Sequence, residues 1–170
     1  MRFTDLLRTT VLLSAAAATA LALVTLGAAT SEQDENIVWV SAGWWILASL
    51  IGAWLGRHED ASPAIGRLLA DSKAATMMPE QRPGAIVVNR LWPLIFSTVA
   101  AGGMAVLAPQ VPAVAAGFTL IWALSWRRQH LAVRAIEERD GVTFHVDPTS
   151  PLRAIRLVRT PGFRRERRIS

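Results

Sequence analysis

The stretch IVWVSAGWWILASLIGAWLG, residues 37–56, contains no ionisable side chain, and its reading decides the fold. An apolar run of about 20 residues is the length a helix needs to cross the hydrocarbon core of a bilayer, whereas strands of soluble sheets rarely exceed about ten residues. Three further stretches read the same way: residues 11–29 (VLLSAAAATALALVTLGAA), 91–108 (LWPLIFSTVAAGGMAVLA) and 111–126 (VPAVAAGFTLIWALSW), all free of ionisable groups. The last is the shortest, close to the lower limit of about 17 residues for a span. Composition agrees, because 52% of the chain is hydrophobic with a mean hydropathy of +0.32, and the apolar residues are clustered rather than dispersed.

The expected fold is an all-α integral membrane protein with four transmembrane helices arranged as two antiparallel hairpins. Pro109 and Pro112 bracket the second connection, which is too short for anything but a turn. Pro93 falls in the first turn of the expected third span, where a missing N–H is tolerated. Trp39, Trp54, Trp92 and Trp126 lie near span ends, where an amphipathic ring favours the membrane interface. Trp44, Trp45 and Trp122 lie deeper.

Charge sets the orientation. With four spans, all 18 basic residues and 10 of the 13 acidic ones fall on one side. The other side receives only Glu32, Asp34 and Glu35, in the loop TSEQDEN (30–36), and the uncharged turn 109–112. The positive-inside rule then places both termini in the cytoplasm, in a bacterial plasma membrane. Residues 1–8, followed by the first apolar run and the small residues 27–30, also fit a signal peptide, although the run is longer than a usual signal core. Cleavage there would leave three spans.

On this reading the chain divides into a transmembrane region, residues 1–126, with an inner loop at 57–90, and a basic cytoplasmic tail, residues 127–170. Ser62-Pro63 is an N-cap followed by a first-turn proline. A short interfacial helix is expected from there to about residue 78, with Ile65, Leu68, Leu69 and Ala75 at near-helical spacing and Pro79 and Pro83 ending it. In the tail, the helix of the fourth span is expected to continue to Gly141, a natural left-handed stop. Val142, Phe144 and Val146 then alternate with Thr143 and His145, DPTSP (147–151) is turn chemistry, and RAIRLVR (153–159) reads as a second strand. On that strand Arg153, Ile155, Leu157 and Arg159 would share a face. An isolated β-hairpin is marginal in water, so this one requires support from the inner loop, a second copy or another subunit.

The residues bear on function mainly by exclusion. There is no cysteine, which removes disulfides, thiolate metal sites and cysteine nucleophiles. No GxSxG, HExxH, GxxxxGK[ST] or GxGxxG occurs, and no cofactor is expected. His58, His130 and His145 match no zinc spacing and read as solvated interface residues. Spans without Asp, Glu, Lys, Arg or His argue against a proton relay or ion-coupled transporter. The hydroxyls of Ser41, Ser49, Ser97, Thr98, Thr119 and Ser125 bond their own helices or line a path for a neutral solute. Ala48, Gly52 and Gly56 in span two, and Ala113 with Gly117 in span four, form small-residue stripes that let helix backbones approach within the bundle or across a homo-oligomer.

The tail carries 11 arginines against five acids. Near an anionic leaflet each arginine that reaches the surface contributes about 1 kcal/mol, and with only Phe144 and Phe163 interleaved the tail is poorly equipped to stack on nucleic-acid bases. Arg153, Arg156, Arg159, Arg164, Arg165, Arg167 and Arg168 are therefore the candidate partner- or lipid-binding residues. The expected function is that of a non-enzymatic multi-pass subunit or scaffold whose tail binds a protein partner or anionic membrane lipid. A small channel or transporter for a neutral or lipidic solute is the alternative.

Overall fold

The computed structural model describes residues 1–32, 35–58, 60–75, 82–147 and 155–161. The chain is mostly helical with one small sheet. Its helices are α1 (Phe3–Glu32), α2 (Glu35–Leu55), α3 (Pro63–Ala70), α4 (Pro83–Gly103), α5 (Gln110–Trp126) and α6 (Gln129–Asp140). The strands are β1 (Lys73–Ala74), β2 (Val142–Val146) and β3 (Leu157–Pro161). Among the described residues, three helical segments are long and apolar enough to cross a membrane: Phe3–Ser31, Glu35–Leu55 and Pro83–Val106, the last including the 3₁₀ turn Met104–Val106 that follows α4. α5 has 17 residues.

Several boundaries differ from the sequence expectation. α1 has 30 residues, extending far beyond the apolar run on its N-terminal side, and α1 and α2 together take up most of the loop expected at 30–36. α4 begins at Pro83 rather than at residue 91, so Pro93 sits inside the helix. Its ring removes one hydrogen bond of the ladder, and the helix continues on both sides of it. α3 stops at Ala70, where Asp71 donates its backbone N–H to Arg67 and Leu69. The chain then enters β1 instead of continuing as helix, and residues 76–81 lie outside the described residues. Where one helix was expected from span four to residue 140, a turn at Arg127–Arg128 separates α5 from α6. Gly141 ends α6 at φ 64° and ψ 33°, a conformation that costs a glycine little.

α5 is the hub of the helical region. It packs most extensively against α1 and α2 and also meets α4, whereas the sequence-adjacent pair α1 and α2 touch far less. On α1 the buried residues Ser14, Ala17, Ala18, Leu21, Thr25 and Ala29 recur every three or four positions, one continuous helix face. The opposite faces of the apolar helices carry exposed bulk, including Trp39, Leu50, Trp54, Phe96 and Val99. In water such a surface would be a large aggregation liability; facing hydrocarbon it costs nothing.

The second core lies at the other end of α1. Phe3, Leu6 and Leu7 from its first turns join Ile65 and Leu69 of α3, Ile86 of α4, Val133 of α6, Phe144 and Val146 of β2, and Leu157 of β3. Ile65 and Leu69, the apolar stripe of the expected interfacial helix, face this core. The strand order is β1-β3-β2. β2 and β3 run antiparallel from Val142↔Pro161 to Val146↔Leu157, and β1 pairs parallel to β3 through Lys73↔Val158 and Ala74↔Arg159. The chain start covers part of the remaining edge of β2, with an antiparallel bridge from Arg2 to His145 and the Val146 N–H donating to the Met1 carbonyl at 3.1 Å. The second strand is thus 157–161 rather than 153–159, and residues 148–154, including Arg153, lie outside the described residues.

Replacing Phe144, which is 3% exposed, by alanine should destabilise this core by about 3–5 kcal/mol. Chemical unfolding of the detergent-solubilised protein, followed by proteolysis of the tail, measures it. Trp39→Ala, at a ring 75% exposed, should leave the same transition unchanged.

Candidate functional site

Two regions concentrate the polar and close-packed features. The first is the contact of α2 with α5. Ala48 is fully buried, and Gly52, Gly56, Ala113 and Gly117 are buried beside it. A side chain at Gly56 would collide with the backbone of Leu124 and Ser125, and one at Gly117 would fall on the indole of Trp44. The small residues of the two stripes are therefore used within one chain, to bring the backbones together and seat an aromatic ring. Trp44 Nε1 donates to the Val114 carbonyl at 3.3 Å and Trp45 Nε1 to the Ala113 carbonyl at 2.9 Å, while Trp44 meets Phe118 edge-on at 5.5 Å. Consecutive indoles deep in an apolar run are the signal that points to this arrangement, since each N–H in hydrocarbon demands an acceptor. Near the start of both helices a groove of about 240 Å³ is lined by Ile37, Val40, Trp44, Ala113 and Val114, with Asn36 and Gln110 also contributing. Its walls are apolar, so it suits hydrocarbon and holds no acid–base machinery.

Hydroxyl groups in the apolar helices are mostly spent locally. Ser49, Thr98, Thr119 and Ser125 donate to carbonyls of Trp45, Leu94, Ala115 and Trp122 on their own helices, and Ser97 also donates to Leu94. Thr25 is buried and donates to the Leu21 carbonyl at 2.8 Å. Such back-bonding satisfies a hydroxyl without lining a passage.

The second region is the inner core and its rim. Among the expected tail residues, Arg156 and Arg159 are exposed, and their backbone carbonyls accept from Asp147 and Ala75 at 2.9 and 3.0 Å. Arg159 lies near enough to Asp140 to help hold that carboxyl below its usual range, behind the larger effect of the hydrogen bond from Arg139. Arg164, Arg165, Arg167 and Arg168 lie outside the described residues, as does Arg153. The three histidines sit apart, on the segment after α2, on α6 and on β2. Among the described residues no group of three His, Asp, Glu or Cys side chains is placed to hold a metal ion.

His145 is not the solvated interface residue that the lack of any zinc spacing suggests. The strand-like start of the chain covers it, and it is 9% exposed, with Nδ1 3.4 Å from Thr160 Oγ1. Burial, then the Met1 amino group and Arg2, push its pKa below the ordinary imidazole value. Nearby Glu137 accepts the Phe144 N–H at 2.9 Å. Burial raises its pKa despite that bond and the attraction of Arg2.

At the C-terminal ends of α2 and α5 a third set of groups converges. The Arg57 guanidinium lies 5.0 Å from the centre of the Trp54 ring, and Arg128 Nη1 donates to the Arg57 carbonyl at 3.2 Å. Gln129 ties the α5–α6 corner to the segment before α3, accepting from the Ser62 N–H at 2.9 Å and donating to the Asp60 carbonyl at 3.4 Å. Trp122 and Trp126 stack at 5.3 Å on the same stretch. Comparison with known proteins adds no assignment: no family model, curated protein or solved structure matches the chain.

Two outcomes follow from these contacts. Gly117→Val should displace the Trp44 ring and cost about 1–3 kcal/mol through overpacking, seen as a lowered Tm and shifted tryptophan fluorescence, whereas Gly103→Ala, with open space around it, should not. A histidine whose folded pKa lies below its unfolded value of 6.5 binds fewer protons folded than unfolded between those two values. Stability contributed by neutral His145 is therefore present above about pH 6.5 and declines as pH falls through that window. Thermal unfolding between pH 7.5 and 5 should show the decline, and His145→Gln should flatten it.

Proposed function

We propose that this chain is a non-enzymatic, multi-pass membrane protein with four spans and both termini in the cytoplasm, serving as a subunit or scaffold whose inner domain presents a basic docking surface. The observation that carries this reading is the sharing of α1 between two cores. The same helix packs extensively on α5 and buries Ser14, Leu21 and Thr25 along its length, and it joins the sheet through Phe3, Leu6 and Leu7. A domain fixed in this way to its anchor is suited to hold a partner at a set height and orientation above the bilayer.

Other features support the finer points. α5 lies among α1, α2 and α4, and its 17 residues reach the lower limit of about 17 for crossing, so it is the natural fourth span. The complete segregation of basic residues to the side of the sheet domain favours an inside location for it. The hairpin's need for support, which suggested a partner, is met by β1 and the chain start. What a partner would recognise is accordingly the outer rim, where Arg156 and Arg159 are exposed, together with the arginines at 164–168. The role of first span rather than cleaved leader suits α1, because its removal would take Phe3, Leu6 and Leu7 out of the inner core. Transport of a neutral or lipidic solute draws support from the apolar groove between α2 and α5, but the hydroxyls that would line a polar path are engaged with their own helices.

Mild native extraction followed by mass spectrometry of stoichiometric companions tests the reading. A companion retained by the native protein and lost on Arg156→Glu/Arg159→Glu, with expression and membrane insertion unchanged, is the expected outcome. A lone homo-oligomer with measurable solute flux in liposomes would overturn it. Topology is tested separately with Ser72→Cys and Ser31→Cys in this cysteine-free chain: an impermeant maleimide on intact cells should label the second and spare the first.

A further inference from the structure

We infer that the corner formed by the ends of α2 and α5 is a seat for the phosphate of an anionic phospholipid, built by Arg57, Arg127, Arg128 and His130 immediately beyond the apolar helices. The inference rests on the membrane reading above and deepens it, naming a lipid and a location apart from the rim arginines Arg156 and Arg159.

Three observations point to this ligand. Arg57 and Arg128 are joined by the hydrogen bond from Arg128 Nη1 to the Arg57 carbonyl, which sets two guanidinium-bearing residues from different helices side by side. Arg57 lies over Trp54, and Trp54 and Trp122 are both more than half exposed, so the cations stand directly on the aromatic belt that marks the headgroup layer. Finally, Arg127 Nε, in the turn that joins α5 to α6, and His130 Nδ1, in the first turn of α6, are buried and without a hydrogen-bond partner. Buried donors are satisfied in nearly all folded proteins, and an orphaned guanidinium N–H is best met by a charged oxygen acceptor. A phosphodiester supplies several such oxygens, and its acyl chains run back along the apolar surface of α2 and α5. The planar fork of arginine favours this acceptor over a point-like anion.

Gln129 makes the corner a built feature rather than a loose turn. By bonding Ser62 and Asp60 across the inner loop, it holds the α5–α6 turn against the segment that follows Arg57. The site thus requires both ends of the chain segment 57–129 to be in place.

The test uses the full-length protein in detergent, exposed to mixed micelles of phosphatidylglycerol and phosphatidylcholine, with bound lipid counted by native mass spectrometry. R57Q/R128Q should lower phosphatidylglycerol retention at least fivefold, while R134Q/R139Q, an equal loss of charge at exposed positions of α6, should leave it within twofold. R127K keeps the charge but removes Nε, and should reduce preference for phosphatidylglycerol over phosphatidylcholine without lowering Tm. Inorganic phosphate at millimolar concentration should not displace the lipid; displacement would make the site one for free phosphate and overturn the lipid assignment. Equal loss in both double variants would reduce the effect to diffuse charge and overturn it as well. Should R57Q/R128Q fail to fold, unchanged preference in R127K would be enough to reject the site. Lipid retention that behaves as expected while maleimide labelling reverses the topology would count against the cytoplasmic reading and not against the seat.

Discussion

The burial of Phe3, Leu6 and Leu7 against Val133, Phe144, Val146 and Leu157 is the contact on which the rest of this structure depends. These side chains belong to the same helix that threads the bundle beside α5, so the apolar region and the sheet domain are continuous through one rigid element. A three-stranded sheet with a two-residue edge strand has little stability of its own. Docked on a 30-residue helix that is also fixed by α5, it is spared much of the ordering entropy that an independent domain of this size would face.

Within the apolar region, close approach replaces hydrophobic driving force. Lipid tails are as apolar as leucine, so helices associate there by packing and by hydrogen bonds between helices. α5 meets both requirements. Its alanines and Gly117 admit α1 on one side and Trp44 on the other, and its Ala113 and Val114 carbonyls accept the two indole N–H groups. The small side chains and the bulky rings are complementary parts of one contact, and neither would be stable without the other.

The sequence made much of this legible where a single physical rule dominates. Charge-free runs marked the apolar helices, Ser62-Pro63 marked the start of α3, and Gly141 marked the end of α6. It misled where two rules compete. The stretch 83–90 carries Arg90 and Asn89 and so was read as loop, but helix propensity and the proline at its first position extend α4 through it. Lys73–Ala74 is too short to show alternation, and Met1–Arg2 has no strand signature at all; both join the sheet only because β2 and β3 offer unpaired edges. The histidine spacing excludes a zinc pattern but says nothing of burial, so the covering of His145 by the distant chain start is not legible in it. The arginine rim was legible as charge, while the grouping of Arg57 with Arg128 depends on a contact 71 positions apart in the chain that no local pattern encodes.

The sheet draws its pieces from residues 1–2, 73–74, 142–146 and 157–161, and every apolar helix lies between two of them. During synthesis the first segment emerges long before its partners exist. Since chains are made at about 5–20 residues per second, the apolar face of Phe3, Leu6 and Leu7 must wait at least several seconds for β2 and β3, with only Ile65, Leu69, Ile86 and Val133 of its core made in the interval. Closure of the sheet domain is thereby the last step of folding. A ribosome-bound chain halted before β3 would hold a finished set of helices beneath an open sheet, and quality-control factors that sense exposed apolar surface would have a defined interval in which to act on it.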